Sequence, residues 1–145
     1  MEINKVFKSN NLNINFKNLT EVAKKAALLG ADILNANYKK IQKITSKGRK
    51  GDLVTNVDLE VEKNIKEFLI KECPEISILA EESGKPNNLK DLYWCIDPLD
   101  GTTNYSHGYP FFGTSVGLVF KDLPILGAIS VPYLNELYWA CIDKG

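Results

Sequence analysis

The chain has no long hydrophobic run, no excess of either charge and only one histidine. Without an apolar stretch of about 20 residues, a membrane-spanning helix is not expected, and the polar N-terminus does not resemble a signal peptide. Eighteen basic residues balance eighteen acidic ones, so no one-sided field favours nucleic acid or a membrane surface. The single histidine, His107, cannot build a metal cluster, and we assign it no catalytic role.

Cysteine is also scarce. The three cysteines, Cys73, Cys95 and Cys141, are an odd number, and their spacing fits no metal motif. Cys95 and Cys141 lie in apolar runs, so we expect buried, reduced thiols and a cytoplasmic protein. Cys95 has no neighbouring base in the sequence, which argues against covalent catalysis.

Periodicity predicts the fold class. Residues 1–17 are polar and are predicted to be a leader, and residues 18–145 to be the folded part. Apolar residues recur every three or four positions over 18–41, which predicts a helix. A basic segment, 42–51, predicts a mobile loop, and Thr55 with Asp58 predicts the start of a second helix that ends near residue 72.

Strands follow these two helices. Five short apolar segments are predicted as strands: 76–80, 93–96, 113–120, 126–131 and 136–142. Short turns join the last three, which favours antiparallel pairing. We therefore predict an α+β fold in which two N-terminal helices are layered on a mainly antiparallel sheet.

The most informative stretch is 94–104, WCIDPLDGTTN. Asp97 and Asp100 flank a proline that stiffens the backbone, so both carboxylates can converge on one point. Together with the carbonyl of Leu99 they offer the oxygen ligands that Mg²⁺ prefers. Gly101 allows a ligand to approach the backbone closely, and the amides that follow would begin a helix facing an anion. A Pro-Asp turn with solvated acids is the alternative.

Further acidic residues lie near the ends of other predicted elements. Glu81 and Glu82 follow the first predicted strand, and neighbouring strands would bring Glu81 and Asp97 to one cation. An exposed acidic surface is the alternative for the glutamate pair. Asp58 is expected in the first helical turn, where a favourable interaction with the helix dipole is an alternative role.

These groups suit metal-assisted phosphate chemistry. Two metals would stabilise the attacking and leaving oxygens and lower the pKa of a bound water. Glu81 is placed to orient or deprotonate that water, and Thr102 is a candidate hydroxyl relay aligned by Asp58. Lys47, in the basic loop, would add positive charge near the phosphate or else stay solvated.

Three stretches carry a family resemblance: 51–58 (GDLVTNVD), 79–83 (LAEES) and 94–104, continuing through HGYPFF at 107–112. They resemble the inositol monophosphatase family, the Mg²⁺-dependent, lithium-sensitive phosphomonoesterases. The resemblance implies the N-terminal part of a layered αβαβα sugar-phosphatase fold. It assigns metal binding to Glu81, Asp97, Leu99 and Asp100, substrate binding to Asp100, Gly101 and Thr102, and catalysis to Glu81, Thr102, Asp58 and Lys47.

The resemblance also shows a difference. Members of the family are roughly double this length, and their second half carries a Trp-Asp motif with a further metal ligand and the residues that select the substrate. No such motif follows Cys141, so we expect a truncated product or a fragment with weak metal binding and little turnover.

The predicted function is Mg²⁺-dependent hydrolysis of a small phosphate monoester, most directly inositol monophosphate. Sister activities on fructose bisphosphate, histidinol phosphate or a nucleotide 3′-phosphate remain open, as does a non-catalytic relative that binds metal or a partner. The expected partner is a small phosphorylated substrate, with neither nucleic acid nor membrane. Exposed strand edges keep a homodimer among the expectations.

Overall fold

Two long helices precede a five-stranded sheet in the computed structural model, which describes residues 14–43, 47–142 and 144. The helices are α1 (Phe16–Gln42), α2 (Lys47–Glu72) and the short α3 (Thr102–His107). The strands are β1 (Ser77–Ala80), β2 (Leu92–Asp100), β3 (Gly113–Phe120), β4 (Leu123–Val131) and β5 (Glu136–Cys141). Within the described part of the chain, no helix is both long and apolar enough to cross a membrane.

Helix α1 confirms the first predicted helix, with a slightly earlier start. The side chain of Asn15 accepts the backbone N–H of Asn18 at 3.1 Å, which caps the first turn. Residues 16–17, assigned to the leader, are therefore helical, and residues 1–13 lie outside the described residues. The buried face of α1 includes Val22 and Leu34.

Helix α2 begins at Lys47, so the predicted loop over 42–51 is wrong where the structure describes it. Thr55 does not cap the helix, because its hydroxyl donates to the carbonyl of Gly51 one turn earlier. Val54 is buried against the core, and this packing outweighs the low helix propensity of the glycines. Asp58 lies in the middle of α2, so the helix dipole does not account for it.

The sheet has the strand order β1-β2-β3-β4-β5, which is the order along the chain. The β1–β2 pair is parallel and the other three pairs are antiparallel, which confirms the predicted fold class. Strand β2 continues through Asp97 and Asp100, where its register with β3 shifts. The predicted turn is therefore an irregular strand end, and Pro98 fits there because it has no N–H to donate.

Helices α1 and α2 pack on one face of the sheet and bury alternate residues of β2 and β3, such as Trp94 and Val116. The opposite face carries a row of small paired residues across four strands: Cys95, Gly117, Gly127 and Ala140. Cys95 is exposed on that face, so its predicted burial is wrong, because its side chain points away from the helices. Cys73 and Cys141 are buried free thiols.

Helix α1 approaches the sheet most closely at Gly30. A Cβ atom on Gly30 would lie 2.7 Å from the side chain of Thr114 on β3 and 2.9 Å from that of Ile65 on α2. Thr114 and Ile65 are both fully buried. The glycine therefore fixes how closely α1 packs against β3 and α2.

Candidate metal and phosphate site

Glu81 and Asp97 meet at the ends of the parallel strands β1 and β2. The backbone N–H of Glu81 donates to the carbonyl of Ile96 at 3.2 Å, which continues the strand pairing and places Glu81 beside Asp97. Their carboxyl groups are close enough to share a hydrogen bond. Burial, then this contact and the charges of Glu81 and Asp100, raise the pKa of Asp97 to about 7.

Helix α2 adds a third carboxyl group to this place. Asp58 is buried, and burial followed by the charges of Glu82, Glu81 and Asp97 raises its pKa to about 7. Among the described residues, Oδ1 of Asp58 and Oδ1 of Asp97 are buried without a hydrogen-bond partner. We call Asp58, Glu81, Glu82 and Asp97 the acidic cluster.

The turn that carries the two glutamates is held by α2. The carboxylate of Glu62 accepts the backbone N–H groups of Glu82 at 2.9 Å and Ser83 at 3.2 Å. Lys66, one turn further along the helix, donates to the hydroxyl of Ser83 at 2.9 Å. The sequence reasoning missed Glu62, although its spacing of four from Asp58 places both on one face of the helix.

The end of β2 leads directly into α3. The Thr102 hydroxyl donates to the Leu99 carbonyl at 3.1 Å, and this carbonyl keeps a second lone pair for a ligand. Gly101 has a φ of 84°, and a Cβ there would lie 2.7 Å from the carbonyl of Phe111, so this position requires glycine. Asp100 is exposed at the strand end, and its charge acts on Asp97.

Two buried or partly buried side chains support this segment, and neither was predicted. Thr114 on β3 donates from its hydroxyl to the Pro98 carbonyl at 2.9 Å, in a fully buried position. Asn104 on α3 donates to the Phe111 carbonyl at 2.8 Å. The first bond satisfies a carbonyl in the irregular end of β2, and the second satisfies one in the connection between α3 and β3.

The other predicted site residues are less defined. Lys47 is the first residue of α2, and its side chain lies outside the described part of the structure. An alignment of Thr102 by Asp58 stays a prediction, because the Thr102 hydroxyl bonds to Leu99. His107 bonds within α3, with Nδ1 2.8 Å from the Thr103 carbonyl.

The donor groups fit a hard cation held by few protein ligands. Among the described residues, no group of three or more His, Cys, Asp or Glu side chains is arranged to hold a metal ion. The close pair is Asp97 with Glu81, and one or two carboxylates, completed by water and phosphate, are the usual protein contribution to a Mg²⁺ site. The unpartnered buried oxygens of Asp97 and Asp58 and the mutual repulsion of the cluster both favour a cation there.

Known proteins resemble the chain over nearly its whole length. A relative from Aquifex aeolicus, fructose-1,6-bisphosphatase/inositol-1-monophosphatase, is 46% identical over 133 residues, 90% of this chain and 50% of the relative. Inositol-1-monophosphatase from Synechocystis is 43% identical over 127 residues, 86% of this chain and 44% of the relative. The structure of inositol monophosphatase from Anabaena has a TM-score of 0.77 at 35% identity, covering 91% of this chain and 47% of that one.

The chain thus spans about half the length of the curated relatives it matches. The inositol monophosphatase family matches residues 15–145, a range that contains all three stretches of the resemblance. The fold agrees as well, since the Anabaena structure superposes on both helices and the sheet. This chain therefore belongs to the inositol monophosphatase family.

Proposed function

We propose that this chain provides the metal- and phosphate-binding part of a Mg²⁺-dependent phosphatase that hydrolyses a small phosphate monoester. The observation that carries the proposal is the meeting of Glu81 and Asp97 at the ends of two parallel strands, with Asp58 beside them. Mutually repelling carboxyl groups beside the glycine-capped start of α3 are better explained by a cation-binding site than by a solvated surface.

The metal ligands proposed here are the carboxylates of Glu81, Asp97 and Asp100 and the carbonyl of Leu99, divided between two cations so that neither requires three carboxylates. A bound Mg²⁺ would supply a water of lowered pKa and would offset charge on the phosphate. In a regular strand, Asp97 and Asp100 would point to opposite faces of the sheet. The register shift between them at the end of β2 interrupts this alternation, which lets both carboxylates bind metal at one site.

The remaining residues act on the substrate and the water. Glu81 is exposed at its turn and is the group that orients or deprotonates the attacking water. Gly101 and Thr102 contact the phosphate, and the Thr102 hydroxyl relays to Glu81 the proton that the attacking water loses. Asp58, buried beside Glu81 and Asp97, and Lys47 support the site electrostatically.

The names of the relatives support a proposal for the substrate class. The Aquifex aeolicus relative is named for both fructose-1,6-bisphosphate and inositol 1-phosphate, and the Synechocystis relative for inositol 1-phosphate. We propose inositol monophosphate as the substrate, with fructose bisphosphate next, lithium inhibition and a cytoplasmic location. The relatives extend well beyond the matched region, so residues outside this chain also contribute to the choice.

The test is phosphate release from inositol 1-phosphate and fructose 1,6-bisphosphate with Mg²⁺. The chain is assayed alone and together with a polypeptide that carries the remaining half of the Aquifex aeolicus relative. We expect little release from the chain alone and clear release from the mixture, reduced about 100-fold or more by Asp97→Asn. The matched control is Asp52→Asn, an exposed aspartate on α2, which should not reduce release. Release that survives Asp97→Asn would refute the proposal.

A non-catalytic metal-binding protein is the second candidate. It is favoured by the chain's coverage of only about half of its relatives' length. It predicts Mn²⁺ binding that depends on Asp97, but no phosphate release in the mixture.

A further inference from the structure

We propose that Glu62 is the positioning residue of the acidic cluster: its buried carboxylate fixes the turn that holds Glu81 beside Asp97. This inference rests on the proposed metal site. It concerns a residue that acts through the backbone of its neighbours and does not touch the metal or the substrate itself.

The first argument is that both carboxylate oxygens of Glu62 accept hydrogen bonds from the backbone of the turn. Its Oε2 accepts the N–H of Glu82 at 2.9 Å, and its Oε1 accepts the N–H of Ser83 at 3.2 Å. Glu62 is only 4% exposed, so these bonds form away from bulk water, where charge-assisted bonds are strong. Two consecutive N–H groups on one carboxylate fix the orientation of the peptide that follows Glu81.

The second argument concerns the turn itself. Strand β1 ends at Ala80, and the side chains of Glu81, Glu82 and Ser83 are exposed beyond it. An exposed ligand keeps its direction only if its backbone is held. The Gly84 N–H closes the turn on the Ala80 carbonyl at 2.8 Å, and Glu62 fixes it from the side of the helix.

The third argument is charge. Glu62 is only 4% exposed, and a buried carboxylate is unfavourable unless a cation accompanies it. Nζ of Lys66 lies 3.9 Å from Oε1 of Glu62 and donates to the Ser83 hydroxyl at 2.9 Å. Lys66 therefore offsets the charge of Glu62 and braces the same turn.

Helix α2 thus performs two tasks from one face. Asp58 points its carboxyl group at Glu82 within the acidic cluster, and Glu62, one turn later, binds the backbone of the turn. These two roles, one in the acidic cluster and one in holding the turn, explain why α2 carries two buried acids at a spacing of four residues. It predicts that Glu62 affects metal affinity without being a ligand.

The test uses the whole chain with Mn²⁺ as the probe. Amide hydrogen exchange of Glu82 and Ser83, measured by NMR without metal, reports the turn, and Mn²⁺ affinity measured by electron paramagnetic resonance reports the site. We expect Glu62→Gln to speed exchange at both amides about tenfold and to weaken Mn²⁺ binding about tenfold. The control Glu67→Gln, an exposed position on the same helix, should change neither.

The outcomes separate this inference from the proposed function. Mn²⁺ binding that is lost in Asp97→Asn but unchanged in Glu62→Gln would overturn the role of Glu62 and leave the metal site intact. Absence of Mn²⁺ binding by the unmodified chain would overturn both. If Glu62→Gln does not fold, Lys66→Met carries the test from a partly exposed position. It should speed exchange at Ser83 and weaken Mn²⁺ binding about threefold, and unchanged affinity would again overturn the inference.

Discussion

The buried hydroxyl of Thr114 donates a hydrogen bond of 2.9 Å to the carbonyl of Pro98, inside the segment that carries Asp97 and Asp100. The same side chain faces Gly30, which leaves room for it on α1. One residue of β3 therefore links the packing of the first helix to the shape of the strand end that carries Asp97 and Asp100.

Removing this bond should lower stability. Thr114→Val keeps the shape of the side chain but leaves the buried Pro98 carbonyl without its donor, so we expect the free energy of unfolding to fall by about 1–3 kcal/mol. Urea denaturation measures the change. Thr55→Val is the matched control, because its hydroxyl bonds to a carbonyl at an exposed position and its loss should cost no more than about 0.5 kcal/mol. Equal costs for the two variants would contradict the prediction.

Gly30 should resist enlargement. Alanine normally stabilises a helix interior by about 1 kcal/mol relative to glycine, but here its Cβ would meet Thr114 at 2.7 Å in a packed core. We expect Gly30→Ala to lower the melting temperature, with a net loss of about 1–3 kcal/mol. Gly51→Ala, at a helical position with open space around it, should instead raise the melting temperature. Stabilisation by both substitutions would show that α1 can move away from β3.

The acidic cluster should make the metal-free chain less stable as pH rises. The pKa values of Asp58 and Asp97 are raised to about 7, above about 4 in an unfolded chain. A raised carboxyl pKa means that the folded state favours the proton. The contribution of the two protonated carboxyl groups to the free energy of unfolding is therefore fully present below about pH 4 and is lost as pH rises through about 7. Urea denaturation in a chelator should give a lower free energy of unfolding at about pH 8 than at about pH 4.5.

A variant isolates the groups responsible. Asp58→Asn should stabilise the metal-free chain at about pH 8 by on the order of 1 kcal/mol, a figure reduced for solvent screening, and should flatten the pH dependence. Asp52→Asn on the exposed side of α2 should leave the pH dependence unchanged. A flat profile in the unmodified chain would mean that the carboxyl groups separate in solution.

Cys95 should be the first thiol to react with a disulfide reagent, because Cys73 and Cys141 are buried. Partial burial and the charge of Asp97 raise the pKa of Cys95, so the rate at about pH 8 should be below that of a free thiol. Asp97→Asn removes the charge and should speed the reaction. The absorbance of the disulfide reagent, recorded on the folded protein, measures the reaction rate of the thiol. Equal rates in the unmodified chain and in Asp97→Asn would argue that Asp97 does not act on Cys95.

The regular parts of the fold were predictable because their patterns are local. Strand β3 has the predicted bounds, and α1 differs by two residues at its start. The start of α2 was missed because its glycines and lysines resemble a loop, and only the tertiary burial of Val54 shows why they are helical. The sequence could not reveal that packing.

The sequence predicted the acidic residues that the structure brings together better than it predicted the residues that hold them in place. Glu81 and Asp97 follow from two strand ends, and the structure brings them together. Glu62 and Thr114 support these residues by hydrogen bonds to backbone groups. Because residues of every type carry such groups, the sequence does not indicate which side chains will bind them. Asp58 was found for its motif, yet its place in the middle of α2 became clear only from the structure.

The agreement between strand order and chain order has a consequence for how the protein assembles. Every strand pairs only with those next to it in sequence, so each new pairing closes a short loop and loses little chain entropy. The sheet can therefore grow from β1 toward β5 as residues leave the ribosome, with each strand templated by the one before it. Assembly in the direction of synthesis would bring Glu81 and Asp97 together before β5 has been made.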